Sequence, residues 1–431
     1  MTSISMPKGG GRTARAALAA LALALSGAAA AAVHTLAPGA DLAQAVAGAQ
    51  DGDVLRLSPG AYAGGIVIDK PLTLEGPADR SAVIAGTRQG RTVWIKAADV
   101  SLRSLTVTRS GLSLSDMDAG VFLDRTAHRA RVEGNDILDN LVGVHVWGPR
   151  DALVRGNRIV GNRELRVAER GNGVTLWNTP GTRVLDNDIS AGRDGIFVNT
   201  SRLNTFSGNR FHDLRYAVHY MYTNESEISG NVATGTDVAY AIMFSHQLIV
   251  RDNVAVDSRE QGLMLNYANQ SRITGNSVDR AGKCVFIYNA NYNEFQDNRF
   301  ANCDIGVHFT AGSEGNQVSG NAFINNRNQV KYVSTRTLDW SVAGRGNYWS
   351  DNTAFDLDGD GIADTAYRPN DVVDQLLWRA PAARILLNSP SIAIVRWAQS
   401  QFPAILPGGV IDSAPLMQPP PLPARLPKES P

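Results

Sequence analysis

The chain carries no net charge: 41 basic residues balance 41 acidic ones in 431. Nothing therefore points to a nucleic-acid partner or to a polybasic membrane contact. After its first residues it has no apolar run long enough to cross a bilayer. It lacks an H-E-x-x-H pair, a phosphate-binding glycine loop and a recognisable Ser/His/Asp set. Only two cysteines occur, Cys284 and Cys303, 19 positions apart. Glycine, by contrast, is abundant at 41 residues, as a chain with many tight turns requires.

What the chain does have is a repeat. Short segments ending in Gly-Asn or Asp-Asn place asparagines at Asn135, Asn157, Asn187, Asn209, Asn231, Asn253, Asn276, Asn298 and Asn321, mostly 22 or 23 residues apart. A fixed period in this range marks a repeat architecture with one unit per turn. Each unit is β-branched and broken by Gly and Asn, so it is a coil of strands and not a helix pair. The expected fold is all-β: a right-handed parallel β-helix of about 22 residues per coil, adjacent strands about 4.8 Å apart. The asparagines would form a ladder inside one turn, bonded to the backbone of the next coil.

Three residues before each ladder asparagine stands an apolar residue, from Val132 and Val154 to Phe295 and Val318. A second strand reads Gly-apolar-x-apolar-x, and its apolar positions (Val144, Val174, Ile196, Val218, Ile242 and onward) face the core. The two x columns then face outward. The first is read as His145, Thr175, Phe197, His219, Met243, Met264, Phe286 and His308; the second as Trp147, Trp177, Asn199, Met221, Ser245, Asn266, Tyr288 and Thr310. A solvated face would be rich in Lys, Glu, Thr and Ser, whereas these columns hold no Lys or Glu. An apolar outer face marks a contact or ligand surface. His219, Met221, Met243 and Met264 fall on three successive strands, and imidazole with thioethers is a soft set suited to Cu(I). His145, Trp147, Trp177, Phe197, Phe286, Tyr288 and His308 supply the rest of that face as a partner surface. A Met and aromatic stripe serves contact more often than ligation, so interface and metal site stand as equal readings.

The chain opens with Lys8, Arg12 and Arg15, an apolar stretch from Ala16 to Leu25 and small residues at Ala30 to Ala32. This is the pattern of a secretory signal over 1–32, and it implies a periplasmic or extracellular protein. Asp41 to Gln50 forms a short amphipathic segment expected to plug the first coil. The one 30-residue interval holds an insertion at Arg163–Arg170, for which a rim of the outer face and a merely tolerated surface loop stand as equal readings. An oxidising compartment permits a Cys284–Cys303 disulfide. Cys284 occupies the Gly place of its coil, however, while Cys303 precedes the next such place, Gly306, by three residues. That offset favours two buried thiols.

The coils are expected to end near 335. Over 336–370, Asp356, Asp358, Asp360, Gly361 and Asp364 spell D-x-D-x-D-G-x-x-D. Carboxylates at positions 1, 3, 5 and 9 suit calcium, with the Ile362 carbonyl as a further ligand; the usual Glu at position 12 is replaced by Tyr367. From 371 to 431 the pattern becomes helical, at Val372–Trp378 and Ser391–Phe402, and then Pro-rich.

Polysaccharide lyases, hydrolases and epimerases on this fold need converging carboxylates. The outer columns contain none, and Asp124, Asp194 and Asp304 lie in or beside turns and read as turn residues. A carbohydrate-active β-helix thus stays the weaker alternative, and no catalytic residue is assigned.

The segment HYMYTN, the asparagine ladder, NYWSDN followed by DLDGDGIADTAYRP, and a late PGGV-DSAPLM together resemble the NosD family. These are periplasmic β-helix accessory proteins of nitrous-oxide-reductase maturation. The resemblance covers essentially the whole exported chain. It implies a non-enzymatic role in assembling the copper-sulfide centre of that reductase. The implied partners are the membrane and ATPase subunits of an ABC transporter, the reductase and a copper chaperone. The copper residues are not carried over from the family, since His219, Met221, Met243 and Met264 come from the outer columns.

Overall fold

The fold is taken from a computed structural model that describes residues 31–310, 312–333, 336–369, 372–373, 380–386, 389–402 and 408–421. The signal-like segment and most of the final tail lie outside the described residues.

The chain winds as a parallel β-helix with three faces. One face is a 13-stranded parallel sheet that begins at Val33–Leu36 and runs through short strands such as Val132's, Arg131–Glu133, to Gln317–Ser319. The other two faces join in a 23-stranded sheet because some strands bend through the corner, notably Val254–Asn266 and Ser277–Tyr288. Ladder pairs throughout are parallel and in register, for example Val132↔Val154, Val154↔Val184 and Val184↔Phe206. The predicted apolar column is fully interior.

The Gly-Asn and Asp-Asn pairs now have a cause. The residue before each ladder asparagine, from Gly134 and Gly156 through Asp186 to Gly320, has a φ between 53° and 69°. That left-handed region is cheap for Gly and tolerated by Asp, and it turns the next side chain inward. Each asparagine after Asn135 then accepts both the backbone N–H and the Nδ2 of its predecessor: Asn157 Oδ1 takes Asn135 N at 2.9 Å and Nδ2 at 3.0 Å. Its own Nδ2 donates to the Val132 carbonyl at 2.8 Å. The ladder runs one rung past the expected set, to Asn347. The coil stack likewise continues beyond 335, to the strand Tyr348–Trp349 paired with Ala322–Ile324.

Both ends are closed. At the start, helix Leu42–Gly48 is capped by Asp41, which accepts from Ala43 N and Gln44 N, and it buries Leu42 and Val46 against the first coils. At the other end, Val410–Ala414 returns across the last coil, where buried Trp340, Trp349 and Phe323 stack.

The cysteines correct the expectation of free thiols: Cys284 and Cys303 form a disulfide, with Cα atoms 5.7 Å apart. The three-residue offset is taken up at the corner between the strands Arg299–Ala301 and Ile305–Thr310, which folds Cys303 back over the Gly place that Cys284 fills. The C-terminal helix spans Pro390–Gln401 with Ser389, not Ser391, as its cap; of the expected Val372–Trp378 helix only 372–373 are described.

Candidate metal-handling face

The outward columns are continuous, with one correction. Across the strands Asp194–Arg202, Tyr216–Asn224, Val238–Met243 and Val254–Asn266, the register is Phe197↔His219↔Ala241↔Met264 and Asn199↔Met221↔Met243↔Asn266. Met243 therefore stands beside Met221 in the second column, and Ser245 belongs to neither. The inner residues of that coil are Tyr240 and Ile242. Ala239 takes the place that Gly262 holds in the next coil and Ala217 in the one before, so without a Gly to mark it the pattern slips by two residues when read from sequence. Tyr240 is an unexpected core residue, and its hydroxyl donates within reach of the Asn231 and Val254 carbonyls, both at 3.0 Å.

The four proposed ligands still share one neighbourhood on three successive strands, a span of about 10 Å. They are outside the central core. Val238, Ala241 and Met264 make a separate small cluster with Tyr216, Met243 and Phe286. They are also less open than an outward column suggests: His219 is 8% exposed and Met264 7%. Met221 and Met243 are half-buried. Ala241, the smallest residue in its column, separates His219 from Met264 and is itself fully covered.

Asp194, read from sequence as a turn residue, is fully buried and organises this site. Arg215 grips it with two charge-assisted bonds, Nε–Oδ1 at 2.8 Å and Nη2–Oδ2 at 2.7 Å. His219 Nδ1 lies 3.1 Å from Asp194 Oδ2. Burial works to raise the Asp194 carboxyl, but the bonds from His219 and Arg215 outweigh it and hold it below the usual range. With Nδ1 committed to the carboxylate, His219 Nε2 is the free nitrogen, and it is buried without a partner. The ring is packed by Phe197 and by the edge of Tyr216, each with centroids 5.0 Å away. A carboxylate fixing one imidazole nitrogen while the other is left open is how proteins orient a metal-binding histidine. The sequence signal that could have revealed Asp194 is its register beside Tyr216, just before the recurring Gly place of its own coil.

The other two histidines of the column have cationic neighbours. Burial pushes His145 down to about 4, with Arg91 adding to the effect, and both its ring nitrogens lack partners. His145 is only 6% exposed, so it underlies the proposed partner surface, between Phe122 and Trp147, without being part of it. Trp147 and Trp177 stack at 4.1 Å, and Leu165 of the insertion packs with Trp147 against the small cluster of Ala119, Phe122, Leu141 and Val142. His308 is also held near 4, by burial and then by Lys331 and Lys283.

A feature absent from the sequence reading borders the methionines. Tyr222, Phe244, Tyr267 and Tyr288 form an exposed row of rings, with successive centroids 5.1, 5.1 and 5.9 Å apart. The first three occupy a turn column at φ of 48° to 52°, where flanking coils use Asn178, Thr200 and Asn289. Bulky aromatics at left-handed φ cost energy, so their placement is not explained by the fold alone.

In the Asp-rich loop, carboxylate oxygens of Asp356, Asp358 and Asp360 lie within 4.8 Å of one another. Asp356 accepts from Gly359 N at 2.7 Å and Gly361 N at 2.9 Å. Asp364 is not in that group; its Oδ2 accepts from Leu357 N at 2.8 Å. Ile362 uses its N–H on Asp360 Oδ1 and pairs with Leu416, tying the loop to the end of the stack.

A family model described as "Periplasmic copper-binding protein (NosD)" matches residues 151–354, which include all four proposed soft ligands. A Stutzerimonas stutzeri protein named "Probable ABC transporter binding protein NosD" is 41% identical over 378 residues, 84% of this chain and 86% of that one. A Pseudomonas aeruginosa protein of the same name is 39% identical over 378 residues, 84% and 88% of the two chains. Among solved structures, the Dettilon tailspike protein aligns at TM-score 0.56 and 15% identity over 70% of this chain and 69% of that one, and so shares the fold alone. Matched along most of its length by relatives at about two-fifths identity, the chain belongs to the NosD family.

Proposed function

We propose that this protein is a periplasmic, non-enzymatic accessory factor that holds Cu(I) transiently at His219 Nε2 and the thioethers of Met221, Met243 and Met264. It would serve assembly of the copper-sulfide centre of nitrous-oxide reductase, receive the ion from a copper chaperone, and act with the membrane and ATPase subunits of an ABC transporter. The observation that carries the reading is the His219 imidazole: Asp194 fixes Nδ1 and Nε2 is buried with no partner, while Met221, Met243 and Met264 stand on its own strand and the next two. Thioether and neutral imidazole donors favour Cu(I) over harder cations. His145 and His308 are poorer candidates for a cation, since Arg91 and two lysines stand beside them.

Calcium is proposed for the Asp356, Asp358 and Asp360 carboxylates with the Ile362 carbonyl, as a structural clamp on the last coil. Asp364 would stabilise the loop through Leu357 N. Docking of the transporter is proposed for the C-terminal helix, whose Ile394 and Trp397 are exposed while Ile392 is buried on Val373.

A second reading has its own support. The strained Tyr222–Phe244–Tyr267 row and Tyr288 favour a protein interface along the same face. Cu(I) titration against a chromophoric chelator separates the two. Wild type should bind one Cu(I), and a Met221→Ala/Met243→Ala/Met264→Ala variant should lose at least tenfold in affinity. Unchanged affinity would remove the copper site and leave the interface.

A further inference from the structure

The outward face ends in a second, oppositely charged site. In the strands Ser277–Tyr288, Ile305–Thr310 and Asn328–Val333 the first outer column continues as Phe286↔His308↔Lys331. Lys283 sits on the Phe286 strand, paired with Ile305, and its Nζ lies 5.6 Å from the Phe286 ring centroid. The His308 ring packs edge-on against Phe286 at 5.2 Å. Lysine is scarce in this chain, with Lys8, Lys70, Lys96, Lys283, Lys331 and Lys428 the whole set against an arginine-rich remainder. Arginines along the coils are widely ion-paired, as in Arg215–Asp194, Arg259–Asp237 and Arg280–Asp257. Lys70 caps the Ala47 and Ala49 carbonyls, and Lys96 lies over Trp94.

Lys283 and Lys331 differ: among the described residues no carboxylate forms an ion pair with either. The nearest acids in the pairing are Asp304, which faces Arg327 at 3.7 Å, and Glu260 on the preceding coil. Both ammonium groups disfavour a proton on the His308 imidazole, and its Nδ1 is buried without a partner. Two half-buried cations and an unpaired imidazole nitrogen thus lie on three successive strands, and no carboxylate among the described residues forms an ion pair with either lysine. Such a cluster is costly unless something anionic joins it.

We propose that Lys283, His308 and Lys331 form an anion site, taking a carboxylate or phosphate-type oxyanion whose oxygens bridge the two ammonium groups and accept from His308. The bound group could be a free oxyanion or an acidic side chain of a polypeptide laid along this face; the recognition chemistry is the same. The site lies four strands from His219 on one continuous column, about 19 Å away. It does not depend on copper binding.

The test follows the His308 imidazole by NMR in the full mature chain, assigned with a His308→Asn variant, at constant ionic strength held with chloride. Inorganic phosphate and a blocked Glu-Glu dipeptide are the two probes. A saturable shift and a rise of about one unit in the His308 pKa are expected for at least one of them. The response should vanish in Lys283→Met/Lys331→Met, a variant whose thermal unfolding confirms that it folds. Response to phosphate alone identifies a free oxyanion, and response to the dipeptide alone an acidic polypeptide. No saturable response to either, or an equal response in the double variant, overturns the proposal.

Discussion

Asn347 donates its backbone N–H to Asp412 Oδ2 at 2.7 Å and its Nδ2 to the same oxygen at 3.3 Å, so Asp412 supplies the acceptor that a further asparagine rung would have provided. The same oxygen takes Trp349 Nε1 at 2.8 Å. Burial raises the Asp412 carboxyl above its ordinary value, and its hydrogen bonds only partly oppose that. Asp412→Ala orphans several buried donors and should cost about 3 kcal/mol in denaturant unfolding. Asp412→Asn keeps an acceptor oxygen and should recover most of it. Two equally stable variants would mean that the ladder needs no terminal acceptor.

Removing the Cys284–Cys303 crosslink should lower stability by about 3 kcal/mol, as expected for a loop of this length. Comparison of the double serine variant with wild type, each unfolded in guanidinium, measures it. A cost near zero would mean that the surrounding coils already restrain the unfolded chain.

His145 gives a pH signature. Its folded value is near 4 and its ordinary value 6.5, so the unfolded chain binds a proton that the native state refuses. Stability is therefore full above pH 6.5 and falls as pH drops toward 4, by at most about 3 kcal/mol from this residue. His145→Leu should flatten that decline in melting curves between pH 7 and 4. His308 contributes in the same sense but is more exposed, so its share is smaller. A slope unchanged in His145→Leu would contradict the burial argument.

Asp194 should act on copper through His219. Asp194→Asn keeps the size but weakens the hold on Nδ1, and should reduce Cu(I) affinity by about tenfold. Imidazole NMR should show the His219 tautomer mixture change in the same variant. Lost affinity with an unchanged tautomer would assign Asp194 a packing role.

Calcium should raise the melting temperature of the chelator-treated protein, and Asp358→Ala should abolish the rise. Differential scanning calorimetry with and without millimolar calcium checks this. No shift in wild type would leave the loop as a solvated turn.

Much of this architecture is written locally. The 22-residue period, the left-handed residue before each asparagine and the alternation of apolar and outward positions are properties of single coils. The stacked fold, its core columns and nine ladder rungs were legible for that reason. So was the concentration of His, Met and aromatic residues on one outer face, since strand alternation alone assigns a side.

Contacts between coils depend instead on how many residues each corner consumes. Those corners decided that Met243 stands beside Met221 once Ala239 takes the Gly place, and that Cys303 reaches Cys284. They also decided that Asp194 turns inward under His219, and that Asp412, far along the chain, completes the asparagine ladder. Composition and period define the rungs of this protein; only the closed tertiary winding determines which side chains meet across them, because corner length does not change the local pattern but sets the register.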